Sequence, residues 1–467
     1  MKKIIKKYYI AFFCIVVLSY SAACSKRDEF LDKSPLSSLV IPSSFRDFQA
    51  ILDFSNTMNL PPSLGEESAD DYYTIPAFLQ TQPIKDQTAY LWASDIFQGI
   101  GNQSEYNTSY SAIFNANVVS EGLDKMTVVS SDQTTWNTLK GSCHFFRGFA
   151  FYNIAQVFAP VYDSATANTD LGISLRLSSD LNIPSTRSSI TQTYTQILSD
   201  LNAAVRLLPT NVPIGNLNRP SKPAAYAMLA RVYLGMRNYK MAGLYADSCL
   251  QMYNTLLTYS SLPMSTSHYQ PFPLANPESI FVSQMSNNPF AYLVNVTSTQ
   301  ISIDTILFKS YSTNDLRRSI YFYQNGTAIN LNAGYAGPFY SIFTGLAVDE
   351  MYLMRAECFA RAGNTASALA DLNTLLPTRY KPNTFTQVTA TSAAEALNKI
   401  LVERRKELVM RGLRWTDLRR LNKEGANIIL TRVYNGQTYT LAPNDPKYVL
   451  PFPPDVIALS GMPQNQR

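Results

Sequence analysis

Two stretches of this chain repeat one another at a constant offset, and that repetition restricts the fold more than any other feature of the sequence. Residues 227–250 read AMLARVYLGMRNYKMAGLYADSCL, and residues 353–377 read LMRAECFARAGNTASALADLNTLLP. Ala230 matches Ala356, Asn238 matches Asn364 and Ala242 matches Ala368, each pair 126 residues apart. In both, an apolar helical run with small residues reaches a turn and a second helical run starts near an alanine. Repetition at this scale marks an array in which each unit buries its apolar face against the next.

Small residues at matched positions let two antiparallel helices approach closely, which is how a tetratricopeptide (TPR) unit packs. A third echo is Asp200-Leu201-Asn202, which repeats Asp371-Leu372-Asn373, each followed by a proline a few residues on. Leu139, Cys143, Phe146, Ala150, Ile154 and Val157 recur at helical spacing and predict a further core helix. Between the repeats the periodicity fades. Residues 253–343 accumulate Pro, Ser, Asn and Gly yet stay rich in aromatics, as do residues 56–110. Loops this long are functional or disordered, and so many aromatics argue for order. The expected fold is mostly α: TPR-like helix pairs within about 109–256 and 347–422, carrying a loop-rich, irregular ligand-binding lobe from about 56–108 and 257–345.

The first residues are a targeting segment. Lys2, Lys3, Lys6 and Lys7 precede an apolar run over residues 8–20, followed by Ser21-Ala22-Ala23-Cys24. The run falls short of the ~20 residues that span a bilayer as a helix. A cysteine after small residues resembles a bacterial lipobox, so residues 1–23 read as a signal peptide and Cys24 as the acylated anchor. The alternative is an ordinary secretory signal that ends near a cysteine. With Cys24 as the anchor, a single mature domain runs over 24–467. Removing the four lysines takes the formal charge from +5 to near +1, which argues against nucleic acid or an anionic membrane face as partner. Only 16% of residues are charged while 12% are aromatic, a surface suited to neutral, hydroxyl-bearing or peptide ligands. Cys143, Cys249 and Cys358 sit in helical patterns with no metal-type spacing, which predicts buried free thiols, no disulfide framework and no metal site.

Little points to catalysis. His144 and His268 are the only histidines, His144 lies within a helical core pattern, and no nucleophile elbow, HExxH or phosphate loop is present. The carboxylate pairs Glu66-Glu67 and Asp70-Asp71 are adjacent in sequence, whereas glycosidase acids sit ~5 to 9.5 Å apart in contrasting environments. The reading is of a non-enzyme without a cofactor. For binding, sugars present apolar C–H faces ringed by hydroxyls, so a site needs flat aromatics beside hydrogen-bonding side chains. Trp92 with Asp71, Tyr72, Tyr73 and Asn102 fits that recipe, as do Tyr269, Tyr335 and Phe339 in the middle stretch. The competing reading is that these rings anchor long loops. The charged block 403–420 is read as a structural ion-pair helix built from Glu403, Arg405, Arg414, Asp417 and Arg419 around Trp415, with a partner-contacting surface as the alternative.

Five segments in order resemble the SusD/RagB family: the lipobox with FLDKSP at 30–35, YSAIFNAN at 110–117, LKGSCHFFRGFAFYNIAQVFAPVY at 139–162, ERRKELVMRGLRWTDLRR at 403–420, and the closing LPFPPDVIALSGMPQNQ. The Asp315-Leu316-Arg317 triplet also resembles the family's Asp-x-Arg. Residues 25–29, SKRDE, resemble the charged tag of Bacteroidetes-type lipoproteins exported to the outer face of the outer membrane. The resemblance covers nearly the whole chain. It implies a lipid-anchored cell-surface protein whose helical half docks on a TonB-dependent SusC-like transporter and whose loop-rich half captures an oligosaccharide or polysaccharide. The RagB branch implies oligopeptide capture instead, and a TPR scaffold without ligand is a third possibility. The stretch around Trp92 only loosely resembles the starch-binding members, so starch is not carried over as the ligand.

Overall fold

The computed structural model describes residues 42–263, 270–285, 289–294, 297–332, 335 and 342–467. Met1–Ser44 separates as one unit and Phe45–Arg467 as another, and the fold below is that of the second. Cys24, the signal segment, Tyr269 and Phe339 lie outside the described residues.

Nine longer helices form the scaffold: α1 (Ser104–Asp124), α2 (Gln133–Phe158), α3 (Ile190–Leu207), α4 (Lys222–Gly235), α5 (Tyr239–Met252), α6 (Val348–Arg361), α7 (Thr365–Leu375), α8 (Ala393–Glu407) and α9 (Arg414–Lys423). Neighbours in sequence are neighbours in space, α1 on α2, α2 on α3 and α4 on α5, and the array continues from α5 across the intervening loops onto α6, α7 and α8. Strand structure among the described residues is confined to five two-stranded antiparallel sheets. No helix among the described residues is long and apolar enough to cross a membrane.

The repeat is exact enough to be followed atom by atom. Asn238 caps α5 by accepting from the Met241 amide, and Asn364 caps α7 by accepting from the Ser367 amide; their backbones agree at φ −87°. The preceding helices end alike, Arg237 and Gly363 both turning left-handed at φ 62° and 81°. Each end is closed by matching bonds: Asn238 N–H to Tyr233 O and Asn364 N–H to Phe359 O, both 2.9 Å. Ala230, Ala356, Ala242 and Ala368 are all fully buried. Where α5 meets α6, a Cβ on Gly243 would stand 2.9 Å from that of Cys358, so only a glycine permits this approach. The Asp-Leu-Asn echo also has a shared purpose: Asp200 on α3 holds Arg147 of α2 in a two-pronged bridge, and Asp371 on α7 holds Arg355 of α6 through the same atoms, the shorter contact 2.6 Å in each. Gly363→Ala is expected to destabilise the protein by about 1 kcal/mol, because open space surrounds the position and only the left-handed backbone opposes a side chain; urea unfolding checks it.

The two loop-rich stretches share one core. Tyr72, Phe78 and Tyr90 from the first pack with Tyr259, Phe272, Phe290, Ile301, Tyr311 and Tyr321 from the second, closed by Val409 and Met410. Short strands stitch them: Tyr72–Thr74 pairs antiparallel with Ile301–Ile303, Tyr72 opposite Ile303. The aromatics that make these loops unlike disordered linkers are thus their own hydrophobic interior. Cys143, Cys249 and Cys358 are buried free thiols. Ser392 and Glu395, three residues apart, have the spelling of a capping box at the start of α8; Ser392 accepts from the Glu395 amide, but the Glu395 carboxylate turns one residue further back, to Thr391 N at 2.8 Å, so the reciprocal half of the box is displaced.

Candidate functional site

The lobe joins the scaffold through buried charge. Arg317, fully buried, takes Asp315 with two nitrogens at 2.9 and 2.7 Å, Glu403 at 2.6 Å and Glu407 at 2.8 Å. Glu407 also accepts from Arg379 Nε at 2.7 Å, and Arg379 reaches Glu278 at 2.8 Å. Burial opposes charge on Arg317, but Glu403, Asp315 and Glu407 outweigh it and hold its pKa above the ordinary value. Burial lifts Glu278 to about 7 against the pull of Arg379. Tyr335 lies inside this network, its hydroxyl donating to Glu278 at 2.8 Å and lying 3.1 Å from an Asp349 oxygen, with Arg411 4.6 Å above its ring. It lines a recess of only about 60 Å³ beside Phe272 and Phe343, far below the ordinary size of a ligand site.

The charged block 403–420 is structural, though Glu403, Arg405, Arg414, Asp417 and Arg419 pair with other residues rather than with one another. Arg405 and Arg414 hold Asp70 and Asp71 of the loop lobe, Asp417 holds Arg404 and Arg420, and Arg419 donates to the carbonyls of Gln156 and Ala159. Trp415 is core, and the left-handed Gly412 at φ 72° makes the bend ahead of α9. Asp71 is therefore an anchor: 1% exposed, with Arg405 at 3.2 Å. Burial raises Asp70, yet Arg414 and Arg405 overcome it and draw it down to about 2.

Trp92 and Tyr72 are brought together, but inward. Arg432 lies 4.7 Å over the Trp92 ring, 5.4 Å over Tyr72 and 3.7 Å over Tyr90, and donates to the carbonyls of Glu67, Ala69 and Tyr90. The indole N–H donates to Ser68 O at 2.9 Å, and Trp92 is 2% exposed. The expected stacking platform is an internal cage for an arginine. Tyr73, its side chain on the opposite face of the strand from Tyr72, is half in solvent. Asn102 is exposed and left-handed at φ 55°, its amide donating to Asp455 and its side chain accepting from Asn107 at 2.9 Å.

Asn102 leads to an open groove of about 680 Å³ along α1. Asn107, Tyr110, Ser111 and Phe114 share one face at spacings of three, four and seven residues. Tyr110 is fixed by donating to Ser174 O at 2.9 Å and by the Tyr106 ring 4.5 Å away, while Phe114 is 37% exposed. The facing wall is the 176–185 segment, with Asn182 and Ser185, and the short helix Pro454–Ser460. Ring, amides and hydroxyls thus converge here, in the combination expected around Trp92. Sequence reasoning passed over it because Phe114 stood inside a family-like segment, although the face could be traced from spacing alone. A second groove of about 450 Å³ is uncharged and lined by Asn56, Asn59, Asn216, Asn218 and Gln284. No cluster of three His, Cys, Asp or Glu suited to a metal occurs among the described residues.

Helical repeats carrying a loop-built lobe, locked to them by buried ion pairs and flanked by open grooves, define the class of this protein. A SusD-like family model described as "Starch-binding associating with outer membrane" matches residues 29–234, and the SusD family model that includes RagB matches 349–460. The chain belongs to the SusD family. Among solved structures it is similar to a sugar-binding protein of Bacteroides vulgatus described as putative in its own name, at 21% identity over 91% of this chain and 99% of that one, TM-score 0.72. It is also similar to a SusD superfamily protein of Bacteroides thetaiotaomicron at 20% identity over 91% and 100%, TM-score 0.73. A SusD-like carbohydrate binding protein of Bacteroides vulgatus aligns at 19% identity over 90% and 97%, TM-score 0.67. These likenesses extend to the fold. No curated protein sequence matches the chain.

Proposed function

We propose that this protein is a non-catalytic, cell-surface lipoprotein that captures an oligosaccharide or polysaccharide in the α1 groove and hands it to a SusC-like TonB-dependent transporter. The observation that carries this reading is the half-exposed Phe114 ring flanked by Asn107 and Asn182 in a groove of about 680 Å³, within the ordinary size range of ligand sites. An aromatic face takes the C–H side of a sugar while amides take its hydroxyls. The family description supports a place at the outer membrane, and Cys24 is the residue that acylation would use; Cys24→Ala should abolish lipid labelling and release the protein from membranes. A SusC-like partner should co-purify with the wild type.

The test is calorimetric titration against a panel of polysaccharides and peptides. Phe114→Ala is expected to weaken binding of the cognate glycan about tenfold, equivalent to ~1.4 kcal/mol, with unfolding unchanged because the ring is not core. Unaltered affinity would remove the groove from the function. Oligopeptide capture is favoured by one feature, the exposed Leu181 and Leu459 on the facing wall at 77% and 89%; tight binding of peptides and none of glycans would install that reading instead.

A further inference from the structure

On the other side of the 176–185 segment lies a separate groove of about 660 Å³, walled by residues 174–178, 183–188 and the first turns of α3. Its lining contains Arg176 and Arg187, several hydroxyls including Ser174, Ser188 and Thr195, and no aspartate or glutamate. Both guanidiniums are held by uncharged groups, mostly carbonyls; Arg187 also lies 4.8 Å over the Phe452 ring and Arg176 lies 3.5 Å from the Ser185 hydroxyl. Arg187 donates to Gly172 O at 2.8 Å, Leu171 O at 2.7 Å and Pro463 O at 3.1 Å. Arg176 donates to Ile183 O, and to Asp180 O at 2.6 Å. Carbonyls fix geometry without neutralising charge, and an arginine carries five N–H donors, so each retains both its charge and donors to spare.

Of the surrounding carboxylates, Glu121 and Asp180 keep their charge but form no ion pair with either arginine, and Asp200 is paired with Arg147. Glu121 accepts from Ser178 and Ser179, the Asp180 carboxylate accepts from the amide and side chain of Asn182, and Asp200 is locked by Arg147 and His144. Burial pulls Arg187 down to about 10, the mark of a cation short of stabilising partners. A planar guanidinium in that state matches the two oxygens of a carboxylate or sulfate.

We propose that this groove is an anion subsite that takes the carboxylate or sulfate groups of an acidic polysaccharide. The inference rests on the glycan-capture reading above and narrows its substrate class. Arg176, Ser178, Ile183 and Pro184 line both grooves, so one chain crossing this segment lays a sugar ring at Phe114 and its acid group against the arginines.

The test titrates the purified protein with polygalacturonate, its fully methyl-esterified form, chondroitin sulfate, unsulfated chondroitin and sodium sulfate, alongside the neutral glycans of the panel. Acidic polymers should bind at least tenfold more tightly than their uncharged or less charged counterparts, with an advantage that shrinks as salt rises. Thr195 is exposed and lines only this groove. Thr195→Glu should cut the acidic advantage at least tenfold and Thr195→Lys should enlarge it, neither changing affinity for a neutral glycan. Neutral binding without an acidic advantage, or indifference to both Thr195 variants, overturns the subsite and leaves glycan capture standing. Sodium sulfate binding as tightly as the polymers overturns the polysaccharide as its source, and failure of every polysaccharide overturns both readings.

Discussion

Replacing Arg317 by methionine is expected to cost about 3–5 kcal/mol of folding stability, the range found when one partner of a buried ion pair is removed. The side chain is fully buried, and its loss leaves three carboxylates to two cations around an apolar group, Asp315 and Glu403 sharing Lys406 and Glu407 keeping Arg379. Urea unfolding measures the loss directly. Acid should narrow the gap. In the wild type, burial raises Asp315 but Arg317 and Lys406 outweigh it and hold the carboxyl below the usual range, so its contribution is full above the unfolded-state pKa and fades as pH falls through the folded one. In the variant the carboxylates outnumber their remaining cations, Lys406 and Arg379, and gain by protonation, so its stability falls less on acidification. A variant within 1 kcal/mol of the wild type at neutral pH would mean that this cluster does not join the lobe to α8.

The same cluster shows what the sequence made visible. The repeats were legible because their determinants are local: an asparagine cap, a left-handed residue before it and alanines at the contact recur at fixed offsets, and backbone geometry translates these directly. Burial is not local. Tyr72 and Trp92 look like a sugar platform because the cation their rings enclose, Arg432, lies some 340 residues away in sequence. Tyr335 was misread for the same reason, its acceptor Glu278 being 57 residues distant. Phe114 differs, because its groove face is written at helical spacing from Asn107 onward; it was obscured by serving equally well as a fold signature. The anion subsite had no sequence signal at all. Overall charge near neutrality concealed two arginines with which the neighbouring Glu121, Asp180 and Asp200 form no ion pair.

Trp92→Ala is expected to destabilise the protein by about 3–5 kcal/mol, as buried tryptophan truncations do, and to leave ligand affinity of the folded fraction unchanged. Truncation opens a cavity, takes the indole donor from Ser68 O, and removes one of the three rings enclosing Arg432. It gains nothing at the backbone, because alanine meets the same left-handed strain at φ 53°. Trp92→Phe keeps most of the apolar volume and loses the indole donor, so its cost should be smaller, mainly that of the hydrogen bond to Ser68. Chemical unfolding and glycan titration on the same preparations separate the two roles. Were Trp92→Ala to unfold at the wild-type denaturant concentration while binding disappeared, the ring would have to turn out of its arginine cage to meet ligand, and the α1 groove would lose its place as the capture site. If stability falls and affinity holds, the aromatic cage is a structural device, and the residues that meet the ligand are those the loops leave in solvent.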